Sequence, residues 1–329
     1  MQPLDIEDDP FSAKNKQVKK LIISSDDSET STAGEKSGKK RASVGKFIFG
    51  CCLLFLSVLG GSMIGPSSNL LDTKSDLVKI TFQNLIRMIY CVPLVLIEAL
   101  CSKKSYKEVL KKSINKRNVG FLLLASSLIT FFNFGLIYGA DNLIQSQAYV
   151  CNTLFCIFIV FIGYCKGKRP NLLEIIGLVI TIGAVALMLA DPDASKEDGS
   201  TGEFHVYAIC IGCAFFGALW ILANGALIHS MPIFFNIFCQ AILAEIFIVT
   251  TLYIWEWDKY SFFSTDKYYG TMGMFHEDQW ITIFFMFGPS AGFFGNAGYI
   301  ISLKFFSPVV VSAAFLFEPL IGQIIGNLL

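Results

Sequence analysis

Charge is scarce in this chain. Asp, Glu, Lys and Arg make up 16% of its 329 residues, against about 25% in ordinary soluble proteins. That shortage excludes a water-facing surface of the usual composition. The net charge is zero, from 26 basic and 26 acidic residues, so there is no electrostatic footprint for a nucleic acid and no nucleic-acid partner is expected. Histidine is limited to His205, His229 and His276. No H-E-x-x-H, G-x-S-x-G or G-x-x-x-x-G-K-S/T occurs, which removes the zinc-peptidase, nucleophile-elbow and phosphate-loop signatures. His276-Glu277-Asp278 has no second cluster to complete a metal site. No enzyme, cofactor or metal is expected.

What the chain has in excess is apolar length. Hydrophobic residues reach 53% and the mean hydropathy is +0.57. A hydrocarbon core of about 30 Å takes about 20 apolar residues in a helix. Nine stretches qualify, near 47–66, 78–100, 119–139, 143–165, 172–190, 204–227, 233–254, 280–301 and 305–327, here called spans one to nine. They are longer than barrel strands and do not alternate in polarity. The expected fold is an all-α polytopic membrane protein. Residues 1–46 are polar and lack a cleavable apolar core, so span one is read as a retained anchor. The stretch before it is read as a disordered cytosolic tail.

Basic residues give the orientation. With the tail inside, the tail and the inner loops hold 20 Lys and Arg. The outer loops hold four: Lys74, Lys196, Lys259 and Lys267. That asymmetry sets the N-terminus in the cytosol. A plasma membrane and an endomembrane both fit. The basic end of the tail either attracts an anionic leaflet, at about 1 kcal/mol per Lys or Arg near the surface, or simply sets topology. All ten cysteines fall in or beside spans, which argues against structural disulfides. Cys210 and Cys213 form a C-x-x-C inside an apolar helix, where cysteine behaves as a small hydrophobe.

A weak internal repeat is present. Asn133-Phe134-Gly135 with Tyr138 near the end of span three matches Asn296-Ala297-Gly298-Tyr299 near the end of span eight. Ser146 opens span four and Ser307 opens span nine. An offset of five spans inverts the second copy in the membrane. With "FQNLIR" in span two and the stretches 138–190 and 299–329, the chain resembles the drug/metabolite transporter superfamily, of the EamA type and solute carrier 35-like. The resemblance implies two inverted five-helix repeats. The first half would be 47–190, the linker 191–203 and the second half 204–329, with four helices in the second half. A tenth helix is missing from the pattern, so a fragment is expected. The resemblance further implies a multi-pass solute carrier whose partners are a small-molecule substrate, the lipid bilayer and a second copy in a homodimer.

Ionisable groups inside a membrane are costly and mark function by default. Arg87, Glu245 and Glu318 sit near mid-depth. Lys79, Gln83 and Arg87 recur every four residues and share a helix face. Arginine offers a planar fork for carboxylate or phosphate, so Arg87 is read either as a substrate anchor or as the structural partner of Glu245 or Glu318. Each Glu is read as a proton-coupling group or as a structural one. Asn152, Asn224 and Asn296 are candidate polar contacts, or hydrogen bonds across helices. Pro93, Gly288, Pro289, Gly292 and Pro319 are candidate hinges or kinks. Pro289 should free the carbonyl of Phe285, and Pro319 that of Phe315. The glycines serve equally as close-packing positions. The aromatic loop 255–279 is read as an interfacial belt or a lid.

The expected function is secondary-active transport of a small polar or anionic metabolite by alternating access. The alternative is a non-transporting multi-pass protein of the same fold, trafficking or receptor-like, because fold does not fix function. A single cysteine placed in 102–117 should react with an impermeant thiol reagent only after permeabilisation, and one in 259–275 without it. The reverse pattern would overturn the orientation.

Overall fold

The computed structural model describes residues 33–102, 105–167, 175–176, 179, 182–183 and 204–326. The chain divides into two compact units, Met1–Ile48 and Phe49–Leu329. Of the first unit only 33–48 is described, and it is helical. Residues 33–46 were expected to belong to the unfolded tail, yet they begin the helix Ala33–Ser62.

The second unit is built of helices. The chain is a multi-pass membrane protein by length and composition, with seven helices able to cross a bilayer. They are Val44–Asn69, Asp76–Cys101, Lys116–Asn142, Gln145–Cys165, Phe204–Leu227, Ile233–Trp255 and Pro308–Ile325, matching spans one to four, six, seven and nine. Span five and the linker 191–203 lie outside the described residues, isolated helical positions of span five excepted. Span eight is helical but wound differently, as a π-helix Thr282–Ala297 followed by an α-helix Gly298–Ser302. Among the described residues there is no strand, only an isolated bridge between Ser261 and Gly270.

Local chemistry fixes the helix ends. The Ser75 hydroxyl accepts from the Val78 N–H, Asn115 Oδ1 from Asn118 N–H and the Ser307 hydroxyl from Val310 N–H. Each satisfies a donor left over at a helix start. Pro308 follows Ser307 as the first helical residue, where a missing N–H costs nothing. Hydroxyls inside the spans bond back to the carbonyl four residues earlier: Ser57, Ser62, Ser126, Thr130 and Ser302 do so. Their polarity is therefore met within their own helix.

Small residues set the packing. Span one crosses span eight where a Cβ on Gly60 would meet Phe294 and Gly295, and one on Gly298 would meet Ser57. A Cβ on Gly292 would approach the Gln83 carbonyl of span two at 2.8 Å. On span three, Gly135 faces Cys213 and Gly139 faces Cys210. The C-x-x-C thus fills the notches of a glycine face. Span two packs on spans seven and eight, span three on six and seven, and span four on six and nine.

The winding of span eight corrects one expectation. In a π-helix each N–H reaches the carbonyl five residues back, so Pro289 orphans Phe284 rather than Phe285. The Tyr90 hydroxyl of span two donates to that Phe284 carbonyl at 2.8 Å. Pro319 is corrected too: it is the second residue of the helix Glu318–Gly326, after a 3₁₀ turn at Phe315–Phe317. The Glu318 N–H donates to the Phe315 carbonyl, which is therefore not free. Tyr90→Phe should lower unfolding stability in detergent by about 1–3 kcal/mol, the cost of one unmet buried acceptor. Pro289→Ala returns an N–H, so the same change should cost less in that background. Equal costs in both backgrounds would contradict this account.

Candidate functional site

Two polar clusters lie inside the bundle, and they separate residues that the sequence grouped together. The first belongs to spans two and seven. Lys79, Gln83, Asn84 and Arg87 of span two are all buried. At 1.5 Å per residue Arg87 is about 16 Å from the Asp76 end of its helix, close to mid-membrane. Lys79 is paired with Asp141 of span three. Arg87, 2% exposed, donates from Nε to the Gly292 carbonyl of span eight at 2.8 Å. Its Nη2 has no partner, and neither do the two side-chain polar atoms of Gln83 or of Asn84. From span seven, Glu245 is 7% exposed, and both its oxygens lack a hydrogen bond. Asn84 is the polar side chain beside Glu245.

The structural ion pair that was one of the two readings of Arg87 is absent among the described residues. Neither Glu245 nor Glu318 reaches it, and the charged-atom contacts found are Lys79 with Asp141, Lys267 with Asp72 and Asp278, and His276 with Asp278. Backbone supplies the reason. The Gly292 face lies flush against Gln83 and Arg87, so a glycine carbonyl reaches the guanidinium first.

The second cluster surrounds Glu318 at three helix interruptions. Span one breaks at Met63, span four at Leu154 and span nine at Phe315–Phe317. The Tyr299 hydroxyl of span eight donates to Glu318 Oε1 at 2.6 Å. A Cβ on Gly61 would overlap that same oxygen, so any side chain there would have to displace the Glu318 carboxylate. The Tyr149 hydroxyl bridges the break in span one, accepting from the Gly65 N–H at 2.8 Å and donating to the Ser62 carbonyl at 2.8 Å. Tyr299 also stacks on Phe315 with ring centroids 3.5 Å apart. Glu318 is thus held by a hydroxyl, not by a charge.

The remaining candidates divide the same way. Asn152, just before the Leu154 break, is buried with neither polar atom bonded. Asn296 spends its Nδ2 on the Ala291 carbonyl of its own helix. Asn224 bonds across helices: Asn236 and Gln240 of span seven both donate to its Oδ1, and Trp220 donates to Gln240 Oε1. Gly288 and Gly292 pack against span two. Pro93 lies on the exposed face of an unbroken helix.

Each end of spans two and seven is tied. At one end, Ser75 donates to Glu256, and the loop 256–281 folds onto the connection 70–75. There Lys267 reaches Asp72 at 2.7 Å, and Tyr268 accepts from the Lys74 N–H. The Asp72 carboxylate, and less so that of Asp278, raises the Lys267 ammonium above its ordinary value. Trp255, Trp257, Phe263 and Phe275 stay exposed while Tyr260 and Met274 are buried, so the loop both caps this end and presents aromatic rings. A cavity of 630 Å³ opens beside it, lined by Asp76, Thr130, Tyr138, Ile248 and Glu256 among others. At the opposite end, Glu98 of span two accepts from the Ile233 N–H at 2.9 Å and the Phe235 N–H at 3.3 Å. The carboxylate thereby caps the first turn of span seven, where a negative charge is favoured. Tyr106 also donates to Glu98. Burial and the neighbouring Glu98 carboxylate push that hydroxyl up to about 12, so it stays a donor at physiological pH.

Asp141, Tyr90, Tyr149, Glu98 and Gly61 were not foreseen as site or anchor residues. Asp141 carried a signal, as the lone acid in the break between spans three and four, and so did the Gly60-Gly61 pair. Glu98 and the tyrosines carried none, because their partners are backbone groups of distant helices. The chain matches no protein-family model, and no curated protein matches it.

Proposed function

We propose that this chain carries a small polar or anionic metabolite across its membrane by alternating access, as a secondary transporter of the EamA kind. One observation carries the reading: the side chains of Gln83, Asn84 and Glu245 and the Nη2 of Arg87 are buried at mid-membrane depth with no hydrogen-bond partner outside their own cluster. An unmet buried polar group costs about 1–3 kcal/mol, and more when charged. A bundle selected for stability alone would carry apolar residues there. Groups of this chemistry suit a solute that brings its own donors and acceptors.

The packing supports two inverted halves. Under that symmetry span two maps to seven, three to eight and four to nine. Span two packs on seven and four on nine, each the image of itself, and the contact of two with eight is mirrored by that of seven with three. Rocking of one half against the other would work at the Ser75–Glu256 and Glu98–Ile233 ties, which join span two to span seven. The orientation that fits the basic residues is a cytosolic N-terminus.

Arg87→Lys keeps the charge and loses the fork. Counterflow in vesicles of reconstituted protein, with a metabolite panel, tests it. The variant should reach the membrane in normal amount and transport at least about tenfold more slowly, as expected for one charge-assisted hydrogen bond. Wild-type counterflow of no panel member, or near-normal transport by the variant, would count against the reading.

A further inference from the structure

Spans two and three follow one another, so the segment that joins them lies at one surface of the membrane. Between Cys101 and Asn118 it carries seven basic residues against one acid, Glu108. Part of it is a helix, Tyr106–Ser113. Tyr106, Val109, Leu110 and Ser113, three or four apart, form its covered face. Lys107 and Lys111 share one flank and Lys112 lies on the other, all exposed, and Ile114, Lys116 and Arg117 just beyond are exposed too. The helix is pinned at both ends. The Tyr106 hydroxyl donates to Glu98 of span two, and Asn118 Nδ2 of span three donates to the Ser113 carbonyl at 2.8 Å. Lys107, Lys111, Lys112 and Lys116 have no ion partner among the described residues.

Topology asks only for basic charge on this side, anywhere in the connection. Here the charge is displayed on a fixed scaffold, next to apolar surface at the membrane's edge. Ile97 and Leu100 at the end of span two, and Val119 and Leu123 at the start of span three, are all exposed. A partner that meets both features has acyl chains for those side chains and an anionic head for the lysines. A soluble polyanion would meet the lysines alone. We propose that the helix Tyr106–Ser113 is a docking surface for anionic lipid headgroups, held by Lys107, Lys111 and Lys112 as point charges on the phosphate. With the N-terminus in the cytosol, these are lipids of the cytosolic leaflet. A lipid would dock here whether or not the chain carries a solute. Glu98, which takes the Tyr106 hydroxyl, also caps the first turn of span seven, so a lipid on this helix bears on the tie between spans two and seven.

The test places a fluorescent label at the exposed position after the helix, as Ile114→Cys in a cysteine-free background. The full-length protein is set in phosphatidylcholine nanodiscs with an equal mole fraction of one of two quenchers. These are phosphatidylserine and phosphatidylcholine, each bearing a nitroxide near the glycerol. The phosphatidylserine quencher should act at least about twofold more strongly, because clustered lysines concentrate anionic lipid at the surface. Lys107→Gln, Lys111→Gln and Lys112→Gln together should remove at least about half of that preference, since glutamine suits a helix as well as lysine and lacks its charge. High salt should weaken the preference with the lysines in place, because exposed charges are screened. That arm decides alone if the glutamine variant does not fold. The proposal is overturned if the two quenchers act equally, if the preference persists undiminished in high salt, or if the folded glutamine variant keeps more than about half of it.

Discussion

A backbone group inside a bilayer has no water to turn to, and this fold depends on how each such group is met. Where the helices are regular the ladder does it. Where they are not, a specific neighbour does. Pro289 removes a donor from span eight, and Tyr90 supplies the missing bond to the Phe284 carbonyl. Span one breaks at Met63, and Tyr149 holds both sides of the break through Ser62 and Gly65. Span nine turns through Phe315–Phe317, and the Glu318 N–H takes the Phe315 carbonyl. Main-chain groups are thus met even at the irregular points. Against them stand the unmet side-chain atoms of Gln83, Asn84 and Glu245, gathered on the facing spans two and seven.

Much of the helix layout was legible in the sequence, because apolar runs of about 20 residues have a single meaning in a bilayer. The mid-depth position of Arg87 and Glu245 followed from counting along those runs. The partners did not follow. Pairing Arg87 with a carboxylate is the natural guess from charge alone, yet Gly292 brings a backbone carbonyl closer than any acid among the described residues. That contact depends on how span eight is wound, and π-winding leaves no periodic signature in a stretch that is apolar all round. The same winding moved the orphan carbonyl by one residue. Glu98 illustrates the other limit: its ligands are the N–H groups of Ile233 and Phe235, and no sequence pattern names a backbone donor.

The two clusters divide labour on the proposed reading. Glu318, bonded to Tyr299 and roofed by Gly61, sits where three helices are interrupted, so it belongs to the joint. Arg87, Gln83, Asn84 and Glu245 lie on the helices that are tied at both ends, so they belong to the path. Glycine links the two, because the face of span eight that admits the span-two backbone at Gly292 also admits span one at Gly295. A substitution along that face would disturb both clusters at once.

The central claim is that the Gln83–Arg87 face borders a route for solutes rather than a dry core. In a cysteine-free background, Gln83→Cys or Asn84→Cys should react with a membrane-impermeant methanethiosulfonate reagent from the aqueous phase. Cysteines at the buried apolar neighbours Ile80 and Ile86 should not. Failure of both polar positions to react from either side of the membrane would contradict the account.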